Sequence, residues 1–305
     1  MAAGNIVFGT YAESIDELRQ VYRLAESLRQ FGGRFRGSPV WSYVPDHVIL
    51  EDTGLFDQLR SLDVEVHTSH TPEQARWFYY AGKVYAAARA ETDAAGQAAV
   101  LVWMDEDTIV LSEPKEFDLA QSVSFAYRPV MHNRSGSLFE APPDDFWGRI
   151  YEVLSLGDDM LFAMVTPADK QKIRAYFQAG ILVVRPERGI LRRWPADFER
   201  LYTDPALVKM CRESRDKRIF LHQTALVGAV LHSVSREETL ELPDRYNYPI
   251  FFERQYGADE AFDSIQDVVT ARCVVSSKHL GADWHSRLAG PPEKVAWLRE
   301  RLGQG

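Results

Sequence analysis

Apolar positions in the first hundred residues switch between two spacings. Short apolar runs at 5–9, 40–44, 64–67 and 98–104 predict strands. Between them, apolar residues recur every three or four positions. Ile15, Leu18, Val21, Leu24, Ala25 and Leu28 predict an amphipathic helix over 15–30, ended by Gly32-Gly33. A shorter helix is expected over 55–62. A longer one should start at Thr71-Pro72-Glu73, with Thr71 as N-cap and Pro72 in the first turn. This alternation predicts an α/β fold, a mostly parallel sheet with helices on both faces. Ligands of such sheets sit beyond the carboxyl ends of the strands.

The second half is less regular. Residues 138–145, rich in proline and acid, predict a loop, and 180–184 a strand. The spacing over 189–202 predicts a helix interrupted at Pro195, and 221–231 a further helix. A short strand is expected at 273–275 and a terminal helix at 293–302. There is no repeat and no linker-like stretch, so 1–305 is expected to form one composite domain. Residues 1–115 would be its nucleotide-binding half and 116–305 its acceptor-binding half.

Composition narrows the partners. A formal net charge of -9 argues against nucleic acid, whose phosphates call for a basic face. No apolar run reaches the length of a membrane span, and the first residues lack the basic-then-apolar pattern of a secretory signal. Cys211 and Cys273 are the only cysteines, too few for a disulfide framework, so a cytoplasmic setting is expected.

One strand ends abruptly in charge. Val100-Leu101-Val102-Trp103-Met104 runs straight into Asp105, Glu106 and Asp107. Neighbouring carboxylates repel, and burying them uncompensated is costly. A divalent cation removes that cost, because Asp-x-Asp at a strand end offers oxygen ligands to Mg²⁺ or Mn²⁺, which can hold a diphosphate. The same residues also suit a solvated acidic turn. A third possibility is the D-x-D-x-T/V nucleophile motif of haloacid dehalogenase-type phosphatases, with Gly157-Asp158-Asp159 as its later acidic element. In this chain, however, Ile109 stands at the expected Thr position.

More of the chain resembles family 8 glycosyltransferases, a GT-A group that includes glycogenin and bacterial lipopolysaccharide galactosyltransferases. MDEDTIVL matches their strand followed by D-x-D-T/V. YFQAGILVV, from Tyr176 to Val184, is similar to their F-N-A/S-G, with Gln178 in place of Asn. His222-Gln223-Thr224-Ala225-Leu226-Val227 stands where they carry D-Q-D-x-L-N. His279-Leu280-Gly281 and Trp284 stand where they carry H-x-x-G-x-x-K-P-W. The order and separation of these segments carry the resemblance.

The resemblance implies a GT-A-like fold and transfer of a sugar from a nucleotide-diphosphate donor, a UDP-sugar, to a glycan, lipid-linked or small-molecule acceptor. It places Thr10 and Tyr11 against the base and Lys83 near the phosphates, with Arg76 and Arg89 as competitors. Asp105, Asp107 and His279 would hold Mn²⁺ or Mg²⁺, an imidazole ligand favouring Mn²⁺. Glu106, Gln178, Ala179, Gly180 and Gly281 would border the donor. Gln223 would serve the anomeric carbon in a retaining transfer.

His132, Asn133, Arg134, Asp144, Asp145 and Trp147 form a polar, aromatic-flanked stretch suited to an acceptor. Lys294, Arg299 and Arg301 on the last helix suit either a peripheral membrane contact or docking on the domain itself. A phosphatase, a nucleotidyltransferase and a non-catalytic sugar-nucleotide binder stay open as alternatives.

Overall fold

The computed structural model describes residues 5–49, 54–250, 264–273 and 289–302. The elements in chain order begin β1 Ile6–Tyr11, α1 Ile15–Phe31, β2 Val40–Val44, α2 Asp46–Ile49, α3 Leu55–Ser61, β3 Val64–Thr68, α4 Ala81–Ala94, β4 Val100–Met104 and β5 Thr108–Val110. They continue with β6 Phe125–Pro129, α5 Asp145–Leu154, β7 Ala163–Val165, β8 Lys172–Arg174, β9 Phe177–Val184, α6 Ile190–Thr203, α7 Pro205–Glu213 and α8 Arg215–Leu231. The last are β10 Thr239–Glu241, β11 Tyr248–Pro249, β12 Thr270–Arg272 and α9 Pro292–Leu302.

The main sheet has the order β10-β6-β9-β4-β1-β2-β3. β3, β2, β1 and β4 are parallel, as their alternation with helices predicts. β9 runs antiparallel to both β4 and β6. Strand period 2 divides the core in two. Val7, Tyr11, Leu101 and Trp103 face the side covered by α4, α5, α6 and α8. Ile6, Phe8, Val100 and Val102 face the side covered by α1 and α3. A smaller sheet, β11-β12-β5, carries α9.

The apolar stripe expected on α1 is buried in full, and Ser14 caps the helix by accepting from the Glu17 N–H at 3.3 Å. Ser27 on the same helix accepts from Val110 N–H at 3.0 Å, tying α1 to the strand that follows the three acids.

Three expectations need correction. The helix expected from Thr71 begins only at Ala81. Glu73–Ala75 forms a single 3-10 turn, and Phe78, packed against Phe198 and Tyr202, holds the chain off a helical path. Tyr80 then takes a left-handed backbone (φ 60°) just before α4, a conformation uncommon for a bulky residue. Pro195 does not interrupt α6, which is continuous because Leu191, Trp194, Phe198 and Leu201 pack along one buried face. The strand expected at 273–275 lies earlier, at Thr270–Arg272, and 274–275 fall outside the described residues.

Glu91 on α4 is fully buried and accepts from Arg192 N–H at 2.7 Å at the start of α6. Burial pushes its carboxyl up to about 7, although the helix N-terminus and Arg192 favour its charged form. The folded value lies above the unfolded one. Its contribution to stability is therefore complete below about pH 4.5 and is lost as pH rises through about 7. Glu91→Gln keeps the acceptor and has no charge to bury. Thermal melts at pH 5 and pH 8 should show the variant gaining on wild type by up to about 3 kcal/mol at the higher pH. A pH-independent difference would show that Glu91 is not buried as an acid.

Candidate active site

A cavity of about 870 Å³ opens at the carboxyl ends of the parallel strands, a size that suits a small-molecule ligand. Its walls come from the segments after β1 (Tyr11, Glu13, Glu17), β2 (Pro45, Asp46, His47), β3 (Ser69, His70, Thr71) and β4 (Asp105, Glu106, Asp107). The stretch Arg76 to Lys83 and Arg272 complete it.

The three acids form a turn between β4 and β5, closed by Thr108 N–H donating to Asp105 O at 3.1 Å. Asp105 and Asp107 are buried, and two cations meet them. Lys83 Nζ lies 2.5 Å from Asp105 Oδ1. Arg272 Nη2 lies 3.4 Å from Asp105 Oδ2. The same guanidinium grips Asp107 with two parallel contacts, Nε to Oδ1 at 3.3 Å and Nη2 to Oδ2 at 3.2 Å. Burial alone would raise the Asp105 carboxyl, but Lys83 and Arg272 hold it below the usual range. Burial opposes the charge on Lys83 and Arg272 too, and the carboxylates outweigh it in both. Among the described residues Glu106 has no such clamp. Burial, then the charges of Asp105 and Asp107, push its carboxyl up to about 8.

The strands on either side fix this cluster. Arg272 pairs in register with Thr108 across β12 and β5, and Cys273 N–H donates to Asp107 O at 2.9 Å. On the other side Asp105 N–H donates to Gly180 O at 3.0 Å. The pairing of β9 with β6 slips between Tyr127 and Pro129, so Gln178, Ala179 and Gly180 form an irregularity that turns toward Asp105. A Cβ on Gly180 would come within 2.7 Å of Asp105 Oδ2, which is why a glycine stands there. The Gln178 side chain accepts from Gly180 N–H. Ala179 N–H donates to Gln223 Oε1 at 3.3 Å. These three residues stand behind Asp105 and do not line the cavity.

Lys83 is buried in the first turn of α4, unlike a solvated helix lysine, and its ammonium also lies 4.8 Å from the Tyr80 ring centroid. Arg76 lines the cavity, whereas Arg89 is exposed and pairs with Asp93. Tyr11 reaches the cavity wall, with its ring wedged beneath Gly82. Thr10 does not. Strand alternation sends it to the opposite face of the sheet, where its hydroxyl is buried with no hydrogen-bond partner among the described residues. Gln223 is buried and links α8 to β9. His222 is buried beside it, packs 4.9 Å from the Tyr80 ring, and accepts no proton near neutrality, since burial and Lys83 lower its pKa to about 3.

The acceptor stretch expected at 132–147 is structural at several positions. Asp144 caps α5, Trp147 is buried with Nε1 donating to Ser135 O at 2.7 Å, and Arg134 pairs with Asp216. Asp158 and Asp159 are exposed and stand apart from Asp105 and Asp107 in the cavity lining. His279 and Gly281 lie outside the described residues.

The resemblance puts a divalent metal on Asp105 and Asp107. Two carboxylates at a cavity floor are suitable oxygen donors. Here all four of their oxygens face Lys83 or Arg272 within 3.4 Å. Among the described residues, no group of three His, Cys, Asp or Glu side chains is placed to hold an ion. While those contacts stand, the described donor set does not fit a divalent cation, because two positive groups already take its place.

Sequence reasoning missed Arg272 and the aromatic wall. Arg272 lies 165 residues from Asp107 and carries no local signal. The wall had one, the run Arg76-Trp77-Phe78-Tyr79-Tyr80, in which Trp77, Tyr79 and Tyr80 are exposed at the cavity. Arg218 packs against both Trp77 and Tyr79.

Comparison with known proteins agrees with this architecture. Residues 17–234 match the model of the Rhodobacterales glycosyltransferase domain. No curated protein sequence matches the chain. The solved apo structure of the bifunctional glycosyltransferase WbbM is similar at 13% identity, with a TM-score of 0.55 over 99% of this chain and 52% of that one. The chain therefore spans about half of WbbM, and the likeness shows a shared GT-A fold. Mouse xyloside xylosyltransferase 1 (12% identity, TM-score 0.45, 88% of this chain and 97% of that one) gives a weaker match. So does the galactosyltransferase LgtC solved with donor and acceptor sugar analogues (14%, 0.46, 97% and 100%).

A methyl group at residue 82 would overlap Oη and Cζ of Tyr11. Gly82→Ala should thus lower stability by roughly 1–3 kcal/mol through overpacking. A urea titration would show this as a lower midpoint at unchanged slope. An unaltered midpoint would mean that Tyr11 is not wedged beneath α4.

Proposed function

The chain belongs to the Rhodobacterales glycosyltransferase domain family, and from that premise we propose that it transfers a sugar from a uridine diphosphate sugar to a hydroxyl-bearing acceptor. The observation that carries this reading is the charge cluster of Lys83, Arg272, Asp105 and Asp107 on the floor of the cavity beyond the parallel strands. Sugar transfer leaves negative charge on the departing diphosphate, and fixed cations facing that position favour the transition state. Lys83 offers a point charge and Arg272 a planar fork, the two donor shapes that suit phosphate oxygens. Arg76 adds a third positive group to the same wall.

The nucleoside would lie toward Tyr11, Pro45 and His47, and the sugar toward Glu106 and Tyr80. Gln223 would act on the reaction through Ala179 and Gly180, holding the strand against which Asp105 is set. The family match favours glycosyl transfer over the phosphatase and nucleotidyltransferase alternatives. Cys211 and Cys273 are free and buried, in keeping with a cytoplasmic setting. Among the described residues no helix is long and apolar enough to cross a membrane. α9 buries Val295, Trp297, Leu298 and Leu302 and pairs Arg301 with Glu26, so docking accounts for its pattern.

A ligand that binds only the folded state raises its melting temperature by mass action. In a thermal-shift panel of nucleoside diphosphates and their sugars, UDP or a UDP-sugar should give the largest shift. A flat response to every nucleotide would remove the donor assignment.

Retention of anomeric configuration is the outcome that the family 8 resemblance implies. Once an acceptor is found, NMR of the product's anomeric proton should show the donor's configuration. An inverted linkage would place the chemistry outside that pattern.

A further inference from the structure

We propose that Lys83 and Arg272 stand in for a divalent cation, so that this chain binds its nucleoside diphosphate without metal and uses Asp105 and Asp107 to position the two cations. The inference rests on the donor reading above and adds to it the means by which the diphosphate is neutralised.

Four observations carry it. First, the carboxylates present four oxygens, and each faces a cationic nitrogen at 2.5, 3.2, 3.3 or 3.4 Å. An ion taking two of those oxygens would sit against Lys83 Nζ or Arg272 Nη2, like charges at contact distance. Second, Lys83 is not free to leave cheaply. Lys83 is only 7% exposed, so without Asp105 its buried ammonium would lose the carboxylate in contact with it at 2.5 Å. Third, strand pairing fixes the backbone that carries Arg272. β12 is in register with β5, and Cys273 N–H is bonded to Asp107 O at 2.9 Å. Fourth, Lys83 and Arg272 both line the cavity with the acids that hold them. A guanidinium has five N–H groups, and its contacts with the acids engage Nε and Nη2. The usual roles are thereby exchanged. In a metal site the acids hold the ion that meets the phosphates. Here they hold a lysine and an arginine that meet the phosphates themselves.

The test is calorimetric titration of the full chain with UDP, once in excess chelator and once in excess Mn²⁺. The expected result is one affinity in both, within about threefold, a difference well under 1.4 kcal/mol. Arg272→Gln should weaken UDP at least about tenfold in either buffer, the effect of losing one member of a buried charge pair. Arg272→Lys, which keeps the charge and loses the fork, should fall between the two. A thermal melt of each variant separates lost binding from lost folding, and Arg272→Lys keeps the comparison open if the glutamine variant is unstable. Asp107→Asn should cost less than Arg272→Gln. UDP binding that needs Mn²⁺ and vanishes in chelator would overturn the inference and leave the donor assignment standing. The inference also falls if Asp107→Asn abolishes binding while Arg272→Gln spares it. Failure of UDP and every other nucleotide to bind in either buffer would remove the donor assignment and the inference together.

Discussion

The burial of two like-charged carboxylates at one turn is the constraint on which the active end of this molecule depends. Asp105 and Asp107 are each under a tenth exposed, and a carboxylate in that setting either gains a proton or finds a cation. Their neighbour Glu106, which has no cation in contact among the described residues, shows the first outcome, with a carboxyl pushed up to about 8. Lys83 and Arg272 give the other two the second outcome. The cluster is mutually dependent, since removing Arg272 takes from Asp107 the guanidinium that grips it and removing Asp105 takes from Lys83 its contact carboxylate.

Much of the surrounding structure serves to hold those four groups in register. α4 contributes Lys83 from its first turn, and the late start of that helix, after the aromatic run ending at Tyr80, sets where the ammonium falls. β12 contributes Arg272 through its antiparallel pairing with β5, and Ser27 of α1 anchors β5 from the opposite side. β9 approaches from behind, with Gly180 leaving room for Asp105 and Gln223 holding Ala179. Each contact is modest alone. Together they determine which way four charged side chains point, and a displacement of about 1 Å in such a site is enough to lose the geometry.

The aromatic run has a related role. Phe78 is buried among Phe198 and Tyr202 and acts as the anchor, which leaves Trp77, Tyr79 and Tyr80 displayed along the cavity. Tyr80 touches both Lys83 and His222, so the wall is continuous with the charge cluster and with α8. His222, kept neutral by burial and by Lys83, adds no further charge to a balance already met by two acids and two bases.

By itself the sequence determined the α/β class, the strand–helix order of the first hundred residues, the stripe of α1, and the placement of three acids at a core strand's end. These are local properties, set by apolar spacing within a dozen residues and by turn and cap residues, and the structure has them in the expected order, with the helix expected from Thr71 starting late, at Ala81. The family resemblance placed Lys83 near the donor phosphates and the 178–180 segment along the donor; Lys83 lines the cavity, whereas Gly180 packs against Asp105 and the segment is absent from the lining. The sequence could not show that Thr10 and Tyr11 part company, because that depends on which face of β1 meets which helix. Nor could it show that β9 is reversed, that its irregularity brings Gly180 under Asp105, or that an arginine from the far end of the chain balances both acids. Those features arise from strand register and from pairings 75 to 165 residues apart. A charge writes its own position into the sequence, but the partner that neutralises it is chosen only when the sheet closes.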